Sequence, residues 1–322
     1  MKNILYIFGV LLILLNGCTP QKPTIPLRKN NTVHTIQDIQ VFSAPNADGA
    51  ITPKTIEDAF ESVGLGVAGN NDMNKPFIKR FGTTHYKIYN LAMFANDDLT
   101  FKLVKKYPQF GALTPLTMSI WSQGDSINIA TLSIHGMSRA VDIPELDKDL
   151  QTYATLIQKA LKKALPNGKF QQLHFHRTDK ALQTTFTMDV DLEDKSIDEY
   201  IEDFEAEFEG ELEPLGFLLP NYTNLQEEIF DDRNYHEYDF FHTYSICKFD
   251  VIFPVSKLHP EAGAWAPCSF YLYKKKDEQT MHMGFLSVEN WITSLDIKDE
   301  ESIKPLREAQ QMIENILKEM TN

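Results

Sequence analysis

Tyr107-Pro108-Gln109-Phe110-Gly111-Ala112-Leu113-Thr114-Pro115 is answered, 152 residues further on, by His259-Pro260-Glu261-Ala262-Gly263-Ala264-Trp265-Ala266-Pro267. Outward from this stretch the same offset carries Gly64 onto Gly216, Tyr86 onto Tyr238 and Phe101 onto Phe253. Residues 64–122 thus lie on 216–274 without a gap. Two extra residues in the later segment raise the offset to 154, and Asp142-Ile143 then meets Asp296-Ile297. The matching positions are glycines, prolines, tyrosines and apolar residues, the types that fix turns and fill cores. A period of about 150 residues is the size of a domain and far exceeds a solenoid repeat. The chain reads as two copies of one domain, 34–168 and 169–322.

Periodicity gives each copy the same element order. In the first, a strand near Ile36–Phe42 precedes a helix over Ile56–Val63, a short strand at Leu65–Ala68 and a small helix from Asn74 to Arg80. Tyr86–Phe94 is rich in aromatic and aliphatic residues and predicts a central strand. A helix over Leu99–Tyr107 is closed by Pro108, Leu116–Trp121 and Ile127–Ile134 form a hairpin, and Leu146–Leu165 is a long amphipathic helix. The second copy opens with a strand over Thr184–Leu192 and an acidic helix through Ile197, Ile201, Phe204 and Phe208; it closes with a helix over Ile303–Met320. Gln171–His176 is expected to add a strand to the second sheet. The product is an α+β fold, an antiparallel sheet covered by helices, twice over.

A Gly at the end of the first helix, a Tyr-rich strand, a helix ending in Pro, and Gly-Ala-x-x-Pro before a hairpin together resemble the family called domain of unknown function 302. The resemblance covers about 55–143 and 196–297, with Gly111–Pro115 and Gly263–Pro267 at the signature position. It implies a TATA-binding-protein-like fold of strand, helix, four strands and helix. The family has no agreed activity, so the resemblance carries fold and little function.

Lys2, the apolar run Ile4–Leu15 and Leu15-Asn16-Gly17-Cys18 resemble a bacterial lipoprotein signal over 1–18. The run is shorter than the ~20 residues of a membrane span and matches a secretory signal. Cys18 is the expected lipidation site and membrane anchor. By resemblance to bacterial lipoprotein sorting, Thr19 favours the outer membrane, with the folded part facing the periplasm. Residues 19–33 hold three prolines and read as a disordered tether. A net charge of -14 argues against nucleic acid, whose binding needs a basic face. Cys247 and Cys268 are expected as free buried thiols, because a parallel crossover would set them at opposite ends of neighbouring strands.

Several motifs fail on context. Gly64-Leu-Gly66-Val-Ala-Gly69 spells a dinucleotide fingerprint, but a helix precedes it where a strand is needed. Gly64 reads instead as a helix cap, and no cofactor is expected. Gly136-Met-Ser138-Arg-Ala140 resembles a nucleophile elbow without the helix that must follow its serine. His236-Glu237 lacks the second histidine of a zinc protease helix, and Asp189–Asp194 lacks the turn glycine of a calcium loop. His174 and His176 alternate on one strand face, so both could reach one ion, with Asp179 or His242 as a third ligand. Tyr86, Tyr89, Tyr238 and Tyr244 are the candidate ligand groove. The expectation is a non-catalytic envelope lipoprotein that binds a small molecule or protein partner between or beneath its domains. The alternatives are a metal-dependent or hydrolytic enzyme using His174 and His176, and an assembly protein docking through its acidic helix.

Overall fold

A computed structural model describes residues 37–321; Cys18, the signal and the tether lie outside them. The first half runs β1 (Ile39–Pro45), α1 (Pro53–Glu61), β2 (Gly66–Asp72), α2 (Asn74–Phe81), β3 (Tyr89–Ala95), α3 (Asp97–Lys106), a 3-10 turn (Pro108–Leu113), β4 (Leu116–Gln123), β5 (Ser126–Leu132), α4 (Ile134–Ala140), α5 (Lys148–Ala164) and β6 (Lys169–Gln171). The second runs β7 (Gln183–Asp189), α6 (Ile197–Leu212), β8 (Leu218–Asn224), β9 (Tyr238–Cys247), α7 (Phe249–Leu258), a 3-10 turn (Pro260–Ala264), β10 (Cys268–Lys275), β11 (Thr280–Leu286), α8 (Glu289–Ser294) and α9 (Glu300–Met320). β8, α7 and β10 repeat the bounds of β2, α3 and β4 at the offset of 152, and β11 repeats β5 at 154. Where α2 stands in the first half, the second has a π turn, Gln226–Phe230, and a 3-10 turn, Asp231–Arg233. Both halves are antiparallel sheets, ordered β2-β3-β4-β5-β1-β6 and β7-β11-β10-β9-β8.

Local chemistry explains the boundaries. Thr52 and Thr55 form a capping box at α1, and Ser196 and Glu199 do the same at α6. Gly64 and Gly216 adopt φ of +89° and +80° after those helices, the left-handed conformation that a non-glycine residue resists. Asp142 and Asp296, equivalent after the two-residue shift, both turn the chain at positive φ. The Thr114-Pro115 and Ala266-Pro267 peptides are both cis.

The central strands are buried on both faces. β3 and β4 show unbroken burial, whereas the edge strand β2 alternates. One face meets the half's own helices: Phe94 of β3 sits edge-on to Phe60 of α1, and Phe270 of β10 lies 4.8 Å from Phe208 of α6. The other face meets the opposite half, and here the Gly-Ala-x-x-Pro stretch acts. The turn Pro260–Ala264 lies on β4 and β5, while Pro108–Leu113 lies on β10 and β11. A Cβ on Gly263 would stand 2.4 Å from Leu91 Cδ2 and 2.5 Å from Ser119 Cβ; one on Gly111 would stand 2.8 Å from Tyr271 Cβ. Each glycine therefore lets one half's backbone approach the other half's sheet. Polar residues on those faces complete the contact. Thr117 donates to the Ala264 carbonyl at 2.8 Å, and its equivalent Ser269 donates to the Pro115 carbonyl at 3.3 Å. At the rim Arg80 pairs with Asp250 and Arg233 with Asp98, which are equivalent acids. Reciprocal contacts of this kind mark a two-fold relation, as in an isologous dimer.

Three readings of the sequence are corrected. Lys169–Gln171 pairs with β1 and belongs to the first sheet, and residues beyond it, with His174 and His176, form no strand. The Tyr-rich strand starts at Tyr89, since residues 82–88 close α2 onto the sheet. β9 and β10 are antiparallel, with Cys268 in register with Ile246, so Cys247 and Cys268 sit at the same end of neighbouring strands. Both are free thiols.

Candidate functional site

Two clefts open where the edge strands β2 and β8 border the junction. Cleft one, about 600 Å³, runs from Gly66 and Ala68 past Asp97 and Pro115 to Thr223, Leu225 and Glu228. Cleft two, about 590 Å³, runs from Leu218 and Pro220 past Phe249 and Pro267 to Asn71, Met73 and Pro76. At the offset of 152 these residues are equivalent one for one: Gly66 with Leu218, Ala68 with Pro220, Asp97 with Phe249, Pro115 with Pro267, Met73 with Leu225, and Pro76 with Glu228. The clefts are the same place seen twice. Both volumes fall in the range of ligand pockets, about 300–1,000 Å³.

Their linings differ. Cleft one carries Glu61, Asp97, Asp98 and Glu228 against a single cation, Arg233. The Arg233 guanidinium is spent on Asp98 at 2.6 Å and holds that carboxyl below its usual range. Cleft two is floored by Leu91, Met93, Phe249 and Leu218, with Asn71, Asp72 and Lys75 on its rim. Leu218 is 42% exposed, one of few large apolar side chains so open among the described residues.

Beneath the second sheet lies a smaller apolar cavity of about 50 Å³, lined by Ile246, Cys247, Cys268, Trp291 and Ile313 among others. Cys247 and Pro267 line both it and cleft two. The first half has the larger Phe94 and Leu116, both buried, where the second has Ile246 and Cys268. Burial pushes both thiols up to about 12, so they are protonated and unreactive at neutral pH.

The four candidate tyrosines line neither cleft. Tyr86 donates to the Lys257 carbonyl and lies 5.8 Å from Tyr89, which packs on Phe77 at the α2–α7 contact. Tyr238 is buried among Phe230, Phe241 and Tyr273, and Tyr244 faces Phe208 on α6. Helices cover one face of the sheet and the opposite half covers the other, so these tyrosines belong to the core. Burial raises the phenols of all four above their usual value and keeps them neutral.

His174 and His176 are exposed on an extended segment. His176 Nδ1 lies 2.9 Å from Asp296, and neither histidine joins a set of three ligating groups among the described residues. Asp179 is exposed. His242 is buried on β9, 2.7 Å from Glu205 and 3.3 Å from the Tyr222 hydroxyl. Three acids of α1, Glu57, Asp58 and Glu61, do lie within ligating reach of one another, but Lys54 pairs with the first two. Ser138 lies inside α4 and donates to the Ile143 carbonyl at 2.6 Å. Sequence reasoning passed over the lining residues Lys75 and Leu218. Laying the copies over one another at non-matching positions would have found them, since Lys75 falls on Glu227 and Leu218 on Gly66.

No curated protein matches the chain. A crystal structure of an uncharacterized conserved DUF302 protein from Bacillus stearothermophilus is similar over 44% of this chain and 100% of its own, at 11% identity and a TM-score of 0.35. Residues 45–164, which include β2, α2, β3 and the Gly111–Pro115 turn, match the family described as domain of unknown function DUF302.

Proposed function

We propose that the protein is a non-catalytic lipoprotein of the bacterial envelope that binds a small molecule at the junction of two diverged copies of one domain. The observation that carries this is the pair of equivalent clefts at the junction, each near 600 Å³. In this reading Cys18 carries the lipid, residues 19–33 are the tether, and the folded part faces the periplasm from the outer membrane. No helix among the described residues is long and apolar enough to cross a membrane. The net charge of -14 speaks against nucleic acid as the partner. Docking of a basic partner is the second reading. Its support is α6, where Glu202, Glu207, Glu209 and Glu211 are exposed along one helix. High salt would dissociate such a complex, whereas a ligand held on an apolar floor would stay.

Native mass spectrometry of the full-length chain, purified without chelator and analysed for metals, tests the proposal. A noncovalent mass excess at one copy per chain is the expected result. A bare mass, together with no binding from a panel of small amphiphiles, would remove the support for a ligand site.

A further inference from the structure

We infer that cleft two takes a small amphipathic carboxylate, its apolar body on Leu218, Leu91 and Phe249 and its carboxylate at Lys75; this rests on the ligand-binding reading above. The floor supplies the first half of the inference. Leu91, Met93, Phe249, Pro220 and Pro267 give an apolar surface, and Leu218 stands over it nearly half exposed. Burying apolar area is worth ~25 cal/mol per Å², so an apolar ligand body gains what the protein leaves uncovered.

The rim supplies the second half. Lys75 is exposed and lines the cleft, and it forms no ion pair among the described residues. Asp72 shares the rim, but its carboxylate accepts the Asn74 N–H at the start of α2 at 3.0 Å. Lys75 also sits in the first turn of α2, where the helix dipole favours an anion; with the Asn74 N–H taken by Asp72 and no N–H on Pro76, the Lys75 ammonium is the donor that an anion would meet. The equivalent turn beside cleft one carries Glu227-Glu228, so the two clefts have opposite charge at the same point. An anionic head with an apolar body matches cleft two on both counts and is repelled by cleft one. A carboxylate suits the compact ammonium of a lysine, which acts as a point charge.

Binding of dodecanoate and of dodecanol to the full-length chain, compared by calorimetry, separates head from body. Dodecanoate is expected to bind about tenfold tighter than dodecanol, as one charged hydrogen bond predicts. Lys75→Glu should weaken dodecanoate by about tenfold or more and dodecanol far less, and Leu218→Arg should weaken both. Equal affinity of the two probes, or dodecanoate binding untouched by Lys75→Glu, overturns the carboxylate assignment. Should that happen while Leu218→Arg still weakens both probes, the cleft stands as a ligand site and only the ligand class is wrong. If neither probe responds to Leu218→Arg, the cleft itself fails.

Discussion

Clefts one and two are built from equivalent residues on equivalent strands, yet one is acidic and the other apolar with a lysine that forms no ion pair among the described residues. The difference lies in the lining side chains and not in the turns or the strand bounds. Gly64, Gly111, Pro115 and their partners hold the turns and the close approach of the halves, and they match. Asp97 against Phe249, Lys75 against Glu227 and Ala95 against Cys247 line the clefts or stand beside them, and they differ. The comparison teaches that two halves with the same element bounds can carry clefts of different chemistry, so each cleft has to be read by its own lining.

The largest effects should come from breaking the equivalence of the halves at their contact. Gly263→Ala puts a methyl against Ser119 Cβ, an atom with no freedom to move away, and should cost about 3 kcal/mol in chemical denaturation. Gly111→Ala meets Tyr271 and Phe241 at 2.8 to 3.1 Å and should cost about 2 kcal/mol. If either change is neutral, the reciprocal docking of the two turns is not what joins the halves.

A smaller effect sharpens the comparison of the two sheets. Cys268→Leu introduces the residue that stands at the equivalent position of the first half, Leu116. At ~24 cal/mol per Å³, filling the 50 Å³ cavity should add about 1 kcal/mol of stability. A loss of stability would mean that the space beneath the second sheet is shaped differently from its counterpart around Leu116.

Glu261 offers a comparison of similar size, read through pH. It is 9% exposed on the docking turn, and burial raises its carboxyl above the usual range. A carboxyl raised on folding contributes stability below its unfolded value, near 4.3, and loses it as pH rises through the folded value. Gln109 occupies the equivalent place in the first half. Glu261→Gln should therefore be more stable than the unaltered chain at pH 7 by ~1 kcal/mol, with the advantage shrinking towards pH 4. An advantage constant across that window would show that Glu261 is not the titrating group.

The smallest effect belongs to the two cross-half salt bridges. Arg80 and Asp250 are each nearly half exposed, and Asp98 is 75% exposed. Removing either arginine should change stability by no more than ~0.5 kcal/mol, as exposed pairs do. A loss several times larger would shift the weight of the junction from the glycine contacts to charge.

The frame was legible in the sequence because its determinants are local and repeated: capping threonine and serine, glycines at positive φ, and prolines that close helices. The shared offset located the docking turns but could not say that each lies on the other half's sheet, which depends on long-range packing. The short helices α4 and α8 were missed for physical reasons. α4 contains Gly136, held because a Cβ there would stand 2.1 Å from the Asp38 carbonyl, and α8 lacks a capping side chain. The crossover between Cys247 and Cys268 was read as parallel because a helix intervenes, yet α7 returns the chain to an antiparallel neighbour. The tyrosines drew attention as a groove because sequence cannot show that both sheet faces are covered. Lys75 and Leu218 gave no local signal, since their meaning appears only when β2 and β8 border one junction.

Native mass spectrometry of the unaltered chain beside Leu218→Arg and its counterpart Gly66→Arg compares the two clefts within one frame. The account predicts that the bound ligand is lost in Leu218→Arg and kept in Gly66→Arg. Ligand retained in Leu218→Arg, or lost only in Gly66→Arg, would contradict it.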